Sequence, residues 1–223
     1  MSNIAVFDLD YTLTIRGTWG RFVVKTVKYK PWLWLPLAFS AGFTQWRYKQ
    51  GHLPRIRVKQ AMMRWSMVGK SREVLEQLAK EFAETEVTHG LRPGAVKALE
   101  AHRAQGDVII IASAAVDLIV SPIAKRLGIE HWVATDMKWE SEKLAPEFAS
   151  DNCYGPQKLL RLKQLLAESP ELKQNNTHIT MYTDSYSDID ILRFCDTSVA
   201  VNADRKLTKA AGDEGFELVD WGS

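Results

Sequence analysis

Short apolar runs rich in β-branched residues alternate with longer stretches of helical periodicity along most of this 223-residue chain. The runs lie at 3–8, 108–112, 132–135, 179–182 and 198–201. Short, apolar, β-branched segments bounded by polar clusters are typical of strands buried on both faces of a parallel sheet. Strands that alternate with helices indicate βαβ units, so the pattern predicts an α/β fold with helices on both faces of the sheet.

Helical periodicity lies between the runs, at 94–104, 116–127, 156–168 and 189–194. The long gap between the first and second runs is different. Residues 15–89 show no strand-like alternation and read as several helices. The chain is therefore predicted to consist of a core formed by 1–14 and 90–223, with an all-helical domain inserted at 15–89.

One segment of the predicted insert, Pro31–Phe43, carries no charge over thirteen positions and has basic and aromatic residues on both sides. It is too short to span a bilayer as a helix, which takes about 17–25 residues. Two interpretations stay open. The segment is either a core helix of the insert or a surface segment that enters a membrane interface with its aromatic and basic residues at headgroup level.

Composition narrows the classes of function. Hydrophobic residues make up 46% and charged residues 25%, the balance of a globular enzyme. The net charge is +2 and no compact basic block stands out, so nucleic acid is not an implied partner. The start of the chain lacks a secretory signal pattern, and the two cysteines lack metal-binding spacing. We therefore expect a cytoplasmic protein, with contact to the inner face of the membrane as the alternative raised by 31–43.

Acidic side chains follow two of the predicted strands. Asp8 and Asp10 close the first strand, and Asp184 and Asp188 follow the run at 179–182. Chemistry in open parallel sheets concentrates at the carboxyl ends of the strands. Carboxylate oxygens together with a backbone carbonyl suit a hard six-coordinate cation, and the absence of clustered His or Cys disfavours zinc or copper. The sequence thus predicts a Mg²⁺ site.

Two further residues complete a candidate phosphate site. Ser113 ends a predicted strand just before a helix, so its hydroxyl and the following amide, that of Ala114, can bind an anion at the helix N-terminus. Lys158 lies near the start of another predicted helix, where its ammonium can neutralise a phosphoryl oxygen and a neighbouring carboxylate. Together with the acidic residues, they predict a phosphoryl-transfer site.

These motifs and their order resemble the haloacid dehalogenase superfamily of phosphohydrolases. The motifs are D-x-D-x-T at Asp8, Asp10 and Thr12, then Ser113, Lys158, and D-x-x-x-D at Asp184 and Asp188. The resemblance covers the whole predicted core. It implies a Rossmann-like parallel sheet, and the position of the insert is similar to the helical C1-type cap of the phosphoserine-phosphatase-like subgroup (subfamily IB).

The resemblance also implies roles for these residues. Asp8 would be the nucleophile that forms an aspartyl-phosphate, and it would also bind the metal with Asp184 and Asp188. Asp10 would act as general acid and base, while its backbone carbonyl holds Mg²⁺. Thr12 and Ser113 would position the phosphoryl group, and Lys158 would offset its charge.

The entrance to the insert bears on the substrate. The stretch IRGTWGRF has no carboxylate but contains Arg16 and Arg21, which disfavours a substrate ammonium and hence phosphoserine. We expect hydrolysis of a small phosphorylated metabolite. The alternative is a lipid-linked phosphate such as phosphatidylglycerophosphate at the membrane surface. A non-enzymatic phosphoacceptor switch is disfavoured because the candidate nucleophile closes the first strand and the insert is large.

Overall fold

A parallel sheet of six strands runs through the part of the chain that the computed structural model describes, residues 3–169, 172 and 177–222. In their spatial order the strands are β3 (His131–Thr135), β2 (Val108–Val116), β1 (Ile4–Phe7), β6 (Ile179–Thr183), β7 (Thr197–Val201) and β8 (Glu217–Val219). The first strand lies centrally and every residue in it is buried. The predicted α/β fold is confirmed.

Helices connect these strands and also build the insert. Those of the core are α5 (Pro93–Gln105), α6 (Asp117–Arg126), α7 (Pro156–Glu168), α8 (Ile189–Phe194) and α9 (Arg205–Glu214). Four elements were not predicted. An antiparallel hairpin, β4 (Met137–Glu140) and β5 (Lys143–Phe148), forms a separate small sheet, and α9 leads into the edge strand β8.

The insert between the first two strands is helical, as predicted. Its helices are α1 (Thr18–Val27), α2 (Trp34–Lys49), α3 (Arg55–Ser66) and α4 (Arg72–His89). Its two ends meet, because Thr14 and Leu91 form an isolated antiparallel bridge and the amide of Ile15 donates to the carbonyl of Gly90 at 2.8 Å. We call 15–89 the cap and keep these domain limits as a proposal.

Alternation along β1 assigns its side chains to two apolar clusters. Ile4 and Val6 belong to one cluster, whereas Ala5 and Phe7 belong to another that also contains Phe22 and other cap side chains. Alternate residues of a strand point to opposite faces of the sheet. The cap therefore packs into the same apolar core as one face of the sheet, which joins it to the half of the molecule that contains the sheet.

The apolar segment 31–43 does not form the core of the cap. It comprises a short helical turn, Pro31–Leu33, and the first part of α2, and Leu37 is its one buried residue. The interpretation as a core helix is wrong, because α3 contacts only part of α2 and leaves the rest of its surface in solvent. Among the described residues, no helix is both long enough and apolar enough to cross a bilayer.

Candidate active site at the ends of β1 and β6

The loop after β1 separates the two acidic side chains at its start. Asp8 is still extended, with φ −69° and ψ 155°, and the chain then closes a tight turn over Leu9–Leu13. Tyr11 takes a left-handed φ of 64°, which is costly for a bulky residue and is held here by the surrounding hydrogen bonds. As a result, Asp8 faces the interior of the site, whereas the carboxylate of Asp10 faces the cap.

Lys158 bridges two carboxylates from different loops. Its Nζ lies 2.8 Å from Oδ1 of Asp8 and 2.7 Å from Oδ2 of Asp188, and none of the three side chains is more than 8% exposed. Gly155, whose φ is 58°, caps the start of α7 and makes the turn that brings Lys158 there. The ion pairs form in a buried environment, so each member depends on the others for compensation of its charge.

Thr12 links the first and last predicted motifs. Its Oγ1 lies 3.4 Å from Oδ2 of Asp8 and 3.4 Å from Oδ1 of Asp184, and it accepts a hydrogen bond from the amide of Asp184 at 3.0 Å. Thr183 donates to Asp188 at 2.7 Å. The structure therefore brings together Asp8, Thr12, Lys158, Asp184 and Asp188, although the first two are far from the other three in the sequence.

The site has more negative charge than its single lysine balances. The pKa of Asp8 is raised to about 7, and burial is the largest cause. The positive charge of Lys158 lowers this pKa, whereas the negative charges of Asp188 and Asp184 raise it further. Burial likewise raises the pKa of Asp184 to about 6. For Lys158, burial alone would lower the pKa, but Asp188 and Asp8 outweigh it and raise the pKa above its usual range. Within the described residues, Oδ1 of Asp188 is buried without a hydrogen-bond partner.

Asp10 is held by the first turn of the cap. Its Oδ1 accepts from the amide of Thr18 at 2.8 Å and from the hydroxyl of Thr18 at 2.7 Å. Thr18 is fully buried and begins α1, so the orientation of Asp10 depends on the start of the cap. Thr18 was not predicted from the sequence. The available signal was a hydroxyl residue eight positions after Asp10, near the start of the insert.

Ser113 lies in the site region, but its expected helix N-terminus does not follow it directly. Strand β2 continues to Val116 and α6 begins only at Asp117, four residues later. The register of β2 shifts between Ala112 and Val116, and this irregularity absorbs the extra residues. Ser113 Oγ accepts from the amide of Ala115 at 3.0 Å, so its hydroxyl is anchored locally. The expectation of a helix dipole directly behind Ser113 is wrong.

Lys59 is a site residue that could not be predicted from the sequence. It comes from α3 of the cap, is buried, and donates to the carbonyl oxygen of Ala114 and to Oδ1 of Asn152, the latter at 2.6 Å. Burial lowers its pKa to about 8, Arg55 lowers it further, and Asp10 opposes both effects. A cap lysine thus reaches the last part of strand β2, which carries Ser113 and Ala114, and joins the cap to the core there.

The two arginines at the cap entrance occupy different environments. Arg16 is exposed, whereas Arg21 pairs with Glu86 of α4 at 2.5 Å and lies over the ring of Phe82. Glu86 is fully buried, and burial raises its pKa. The stretch that contains Arg21 has no carboxylate of its own, and α4 supplies one from a distant part of the sequence.

The model of the family described as haloacid dehalogenase-like hydrolase matches residues 5–193, a range that begins in β1 and includes the cap, Lys158 and both Asp184 and Asp188. The chain belongs to the haloacid dehalogenase-like hydrolases. A curated relative, histidinol-phosphatase of Neisseria meningitidis serogroup C, is 24% identical over 99% of this chain and 100% of its own length. The predicted family and enzyme class, a phosphatase of this family, are confirmed.

Solved structures show the same fold over the full length of this hydrolase. A protein of unknown function from Bordetella pertussis Tohama I superposes with a TM-score of 0.85 at 22% identity, and the match covers 100% of both chains. A phosphoserine phosphatase, solved as an analogue of its phospho-aspartyl intermediate, superposes with a TM-score of 0.64 at 15% identity and covers 99% of this chain and 94% of that one. Core and cap thus occur together in both of these folds.

Proposed function

We propose that this hydrolase is a Mg²⁺-dependent phosphomonoester phosphatase that works through an aspartyl-phosphate on Asp8. One observation carries the proposal, namely the buried bridge from Lys158 to Asp8 and Asp188 beside the contact between Thr12 and Asp184. A carboxylate that is buried against a lysine and faces a shared polar site is suited to nucleophilic attack on phosphorus. The solved phosphoserine phosphatase with a phospho-aspartyl intermediate analogue supports the same chemistry.

The residues of the site fit a magnesium ion. Asp8 and Asp184 have raised pKa values because of burial, and an oxygen of Asp188 is buried without a partner within the described residues, so a cation would offset unbalanced charge. In the described ranges, no three His, Cys, Asp or Glu side chains form a group that could hold a metal ion by themselves, so a backbone carbonyl would have to complete the ligand set. The ligands would be carboxylates of Asp8 and Asp184, the carbonyl of Asp10, and Asp188 directly or through water. Bound there, Mg²⁺ would draw charge from the phosphoryl oxygens.

The chain's own groups account for the proton transfers. Asp8 attacks phosphorus, so that its Oδ–P bond forms as the ester P–O bond breaks, and Asp10 gives a proton to the leaving oxygen. Water then attacks the phosphoenzyme, Asp10 takes a proton from it, and inorganic phosphate leaves Asp8 free. Thr18 holds Asp10 in place for both steps, and Lys158 offsets charge on the transferred group.

The substrate we favour is a small phosphorylated metabolite. The relative from Neisseria, whose full length this chain matches, acts on such a molecule according to its name. A lipid-linked phosphate such as phosphatidylglycerophosphate is the second candidate, and it is favoured by the exposed aromatic surface of α2. Arg21 is engaged by Glu86, whereas Arg16 is exposed and forms no ion pair with the residues that the structure describes, so Arg16 is the better candidate to meet an anionic substrate in either case.

The decisive experiment compares Asp8→Asn with Asp213→Asn, an exposed control on α9. With Mg²⁺ present, an aryl phosphate is expected to be hydrolysed by the parent and the control, and by neither Asp8→Asn nor the parent treated with EDTA. Near-normal turnover by Asp8→Asn would refute the covalent mechanism. A panel of histidinol phosphate, phosphoserine and phosphatidylglycerophosphate then ranks the substrate classes by kcat/KM.

A further inference from the structure

The helix α2 presents large apolar side chains to solvent along one face. Leu35, Phe39, Phe43 and Trp46 are 83%, 77%, 51% and 53% exposed. At 100° per residue, these four positions fall within an arc of about 80°. We call them the α2 stripe. The rings of Phe39 and Phe43 stack on each other, and the ring of Trp46 packs against Phe43 at a tilt. The aromatic part of the stripe is therefore a continuous surface.

The orientation of α2 shows that the stripe faces away from the protein. Leu37, the buried residue of the helix, lies about 160° around the helix axis from the centre of the stripe. It is therefore on the side that packs against α3. A helix that is apolar on both sides is ordinarily buried. An exposed apolar patch of this kind marks a docking surface.

The charge around the stripe identifies the partner. From Tyr11 to Arg72 the chain contains thirteen Lys and Arg residues and no Asp or Glu, so all 27 acidic residues lie elsewhere. Lys28 and Lys30 precede α2 and Lys49 ends it, and all three are exposed. In the described part of the chain, none of the three forms an ion pair with a carboxylate. An apolar helix face in a basic surround matches an anionic lipid surface.

We propose that the α2 stripe docks the cap on the surface of an anionic lipid bilayer, with the stripe at the acyl boundary and the flanking lysines among the headgroups. The helix has 16 residues and is about 24 Å long, shorter than the bilayer's hydrocarbon core, so it lies along the surface. Tyr29 and Trp32, 83% and 68% exposed, extend the surface with side chains that favour the interface. A second copy of this chain is a poorer occupant, because two equally basic faces would repel each other.

Vesicle co-sedimentation tests this proposal without any activity measurement. The parent is expected to bind phosphatidylcholine vesicles that contain about 30% phosphatidylglycerol, and to bind them less as NaCl rises from about 0.05 M to about 0.5 M. Leu35→Ser/Phe39→Ser is expected to reduce binding at least about tenfold, since both side chains would leave the acyl boundary. The matched control, Val96→Ser/Leu160→Ser, removes exposed apolar side chains from α5 and α7 and is expected to bind like the parent.

Several results would overturn the proposal. They are no binding by the parent, equal binding to vesicles of phosphatidylcholine alone, or equal losses in the two double variants. Sedimentation velocity can give a further contrary result. If the parent forms a concentration-dependent dimer and the Leu35→Ser/Phe39→Ser variant does not, the stripe binds a second copy of the chain. Unfolding curves by circular dichroism establish that both variants are folded before binding is compared. None of these outcomes depends on whether the enzyme is a phosphatase.

Discussion

Replacing Lys158 by Met tests the electrostatic centre of the site through stability alone. The substitution leaves the carboxylates of Asp8 and Asp188 buried without the ammonium that now lies 2.8 Å and 2.7 Å from them. Removing one partner of a buried ion pair costs about 3–5 kcal/mol. That is a large part of the roughly 5–15 kcal/mol that stabilises a typical protein. With a urea dependence of about 2–3 kcal/mol per M, the unfolding midpoint is expected to fall by roughly 1–2 M.

The assay is urea unfolding followed by circular dichroism at neutral pH, with EDTA present so that no metal compensates the charge. Lys209→Met, which removes an exposed lysine from α9, is the matched control and is expected to leave the midpoint within about 0.2 M of the parent. The double variant Lys158→Met/Asp188→Asn, with one buried charge fewer, is expected to recover part of the loss. Two results would contradict the buried bridge. One is an unfolding midpoint for Lys158→Met equal to that of the control, and the other is a midpoint for the double variant below that of Lys158→Met.

Three further substitutions test neighbouring contacts. Thr18→Val removes the hydroxyl hydrogen bond to Asp10 and keeps the one from the backbone amide, and it is expected to lower kcat for an aryl phosphate about tenfold with little change in KM. An unchanged kcat would show that the hydroxyl does not position Asp10. Lys59→Met removes the buried ammonium that joins the cap to Ala114 and is expected to lower kcat/KM about tenfold, with partial recovery in Lys59→Arg. Burial raises the pKa of Asp117 from 3.8 to about 6, so the stability that Asp117 contributes is complete below pH 3.8 and is lost as pH rises through about 6. Asp117→Asn is therefore expected to be more stable than the parent by up to about 2 kcal/mol at about pH 8 but not at about pH 4, and equal gains in urea unfolding at both would contradict this.

The core could be predicted from the sequence because its strands are short, apolar and separated by helices of ordinary length. The central strand β1 was found almost to the residue, and the helix that carries Lys158 has the predicted limits. The weaker elements were missed for a physical reason. The hairpin β4–β5 is half-exposed and polar in part, and the edge strand β8 has only three residues, so neither leaves a clear apolar period.

The candidate site was predictable where it depends on the carboxyl ends of strands and not where it depends on tertiary packing. Asp8, Asp184 and Asp188 were found from their positions after two strands that turn out to be neighbours in the sheet. Lys59 and Glu86 could not be found in this way. Each lies within a helix of the cap and becomes part of the site only because that helix packs against a loop or helix far away in sequence.

The sequence left two interpretations of segment 31–43 open, because hydropathy alone cannot tell a buried helix from an exposed one. Its composition fits a core helix, and the choice depends on how many neighbours the fold supplies. Helix α2 contacts mainly α3, and within the described residues no second layer of protein covers its other side. The overall net charge of +2 does not reveal a second feature. Residues 11–72 contain basic but no acidic side chains, and acidic residues elsewhere in the chain balance their charge.

That separation of charge bears on catalysis as well as on docking. A phosphomonoester is an anion, and the carboxylates of Asp8, Asp184 and Asp188 would repel it if they acted alone. Lys158 offsets part of this charge. A second ammonium, that of Lys59 in the basic cap, donates to the carbonyl oxygen of Ala114 in strand β2. The first three helices of the cap contain basic but no acidic residues. We therefore expect the positive potential of the cap to attract an anionic substrate to a site whose carboxylates alone would repel it. Raising the ionic strength is accordingly expected to raise KM for an aryl phosphate more than it lowers kcat, and a salt-independent KM would contradict this role of the cap.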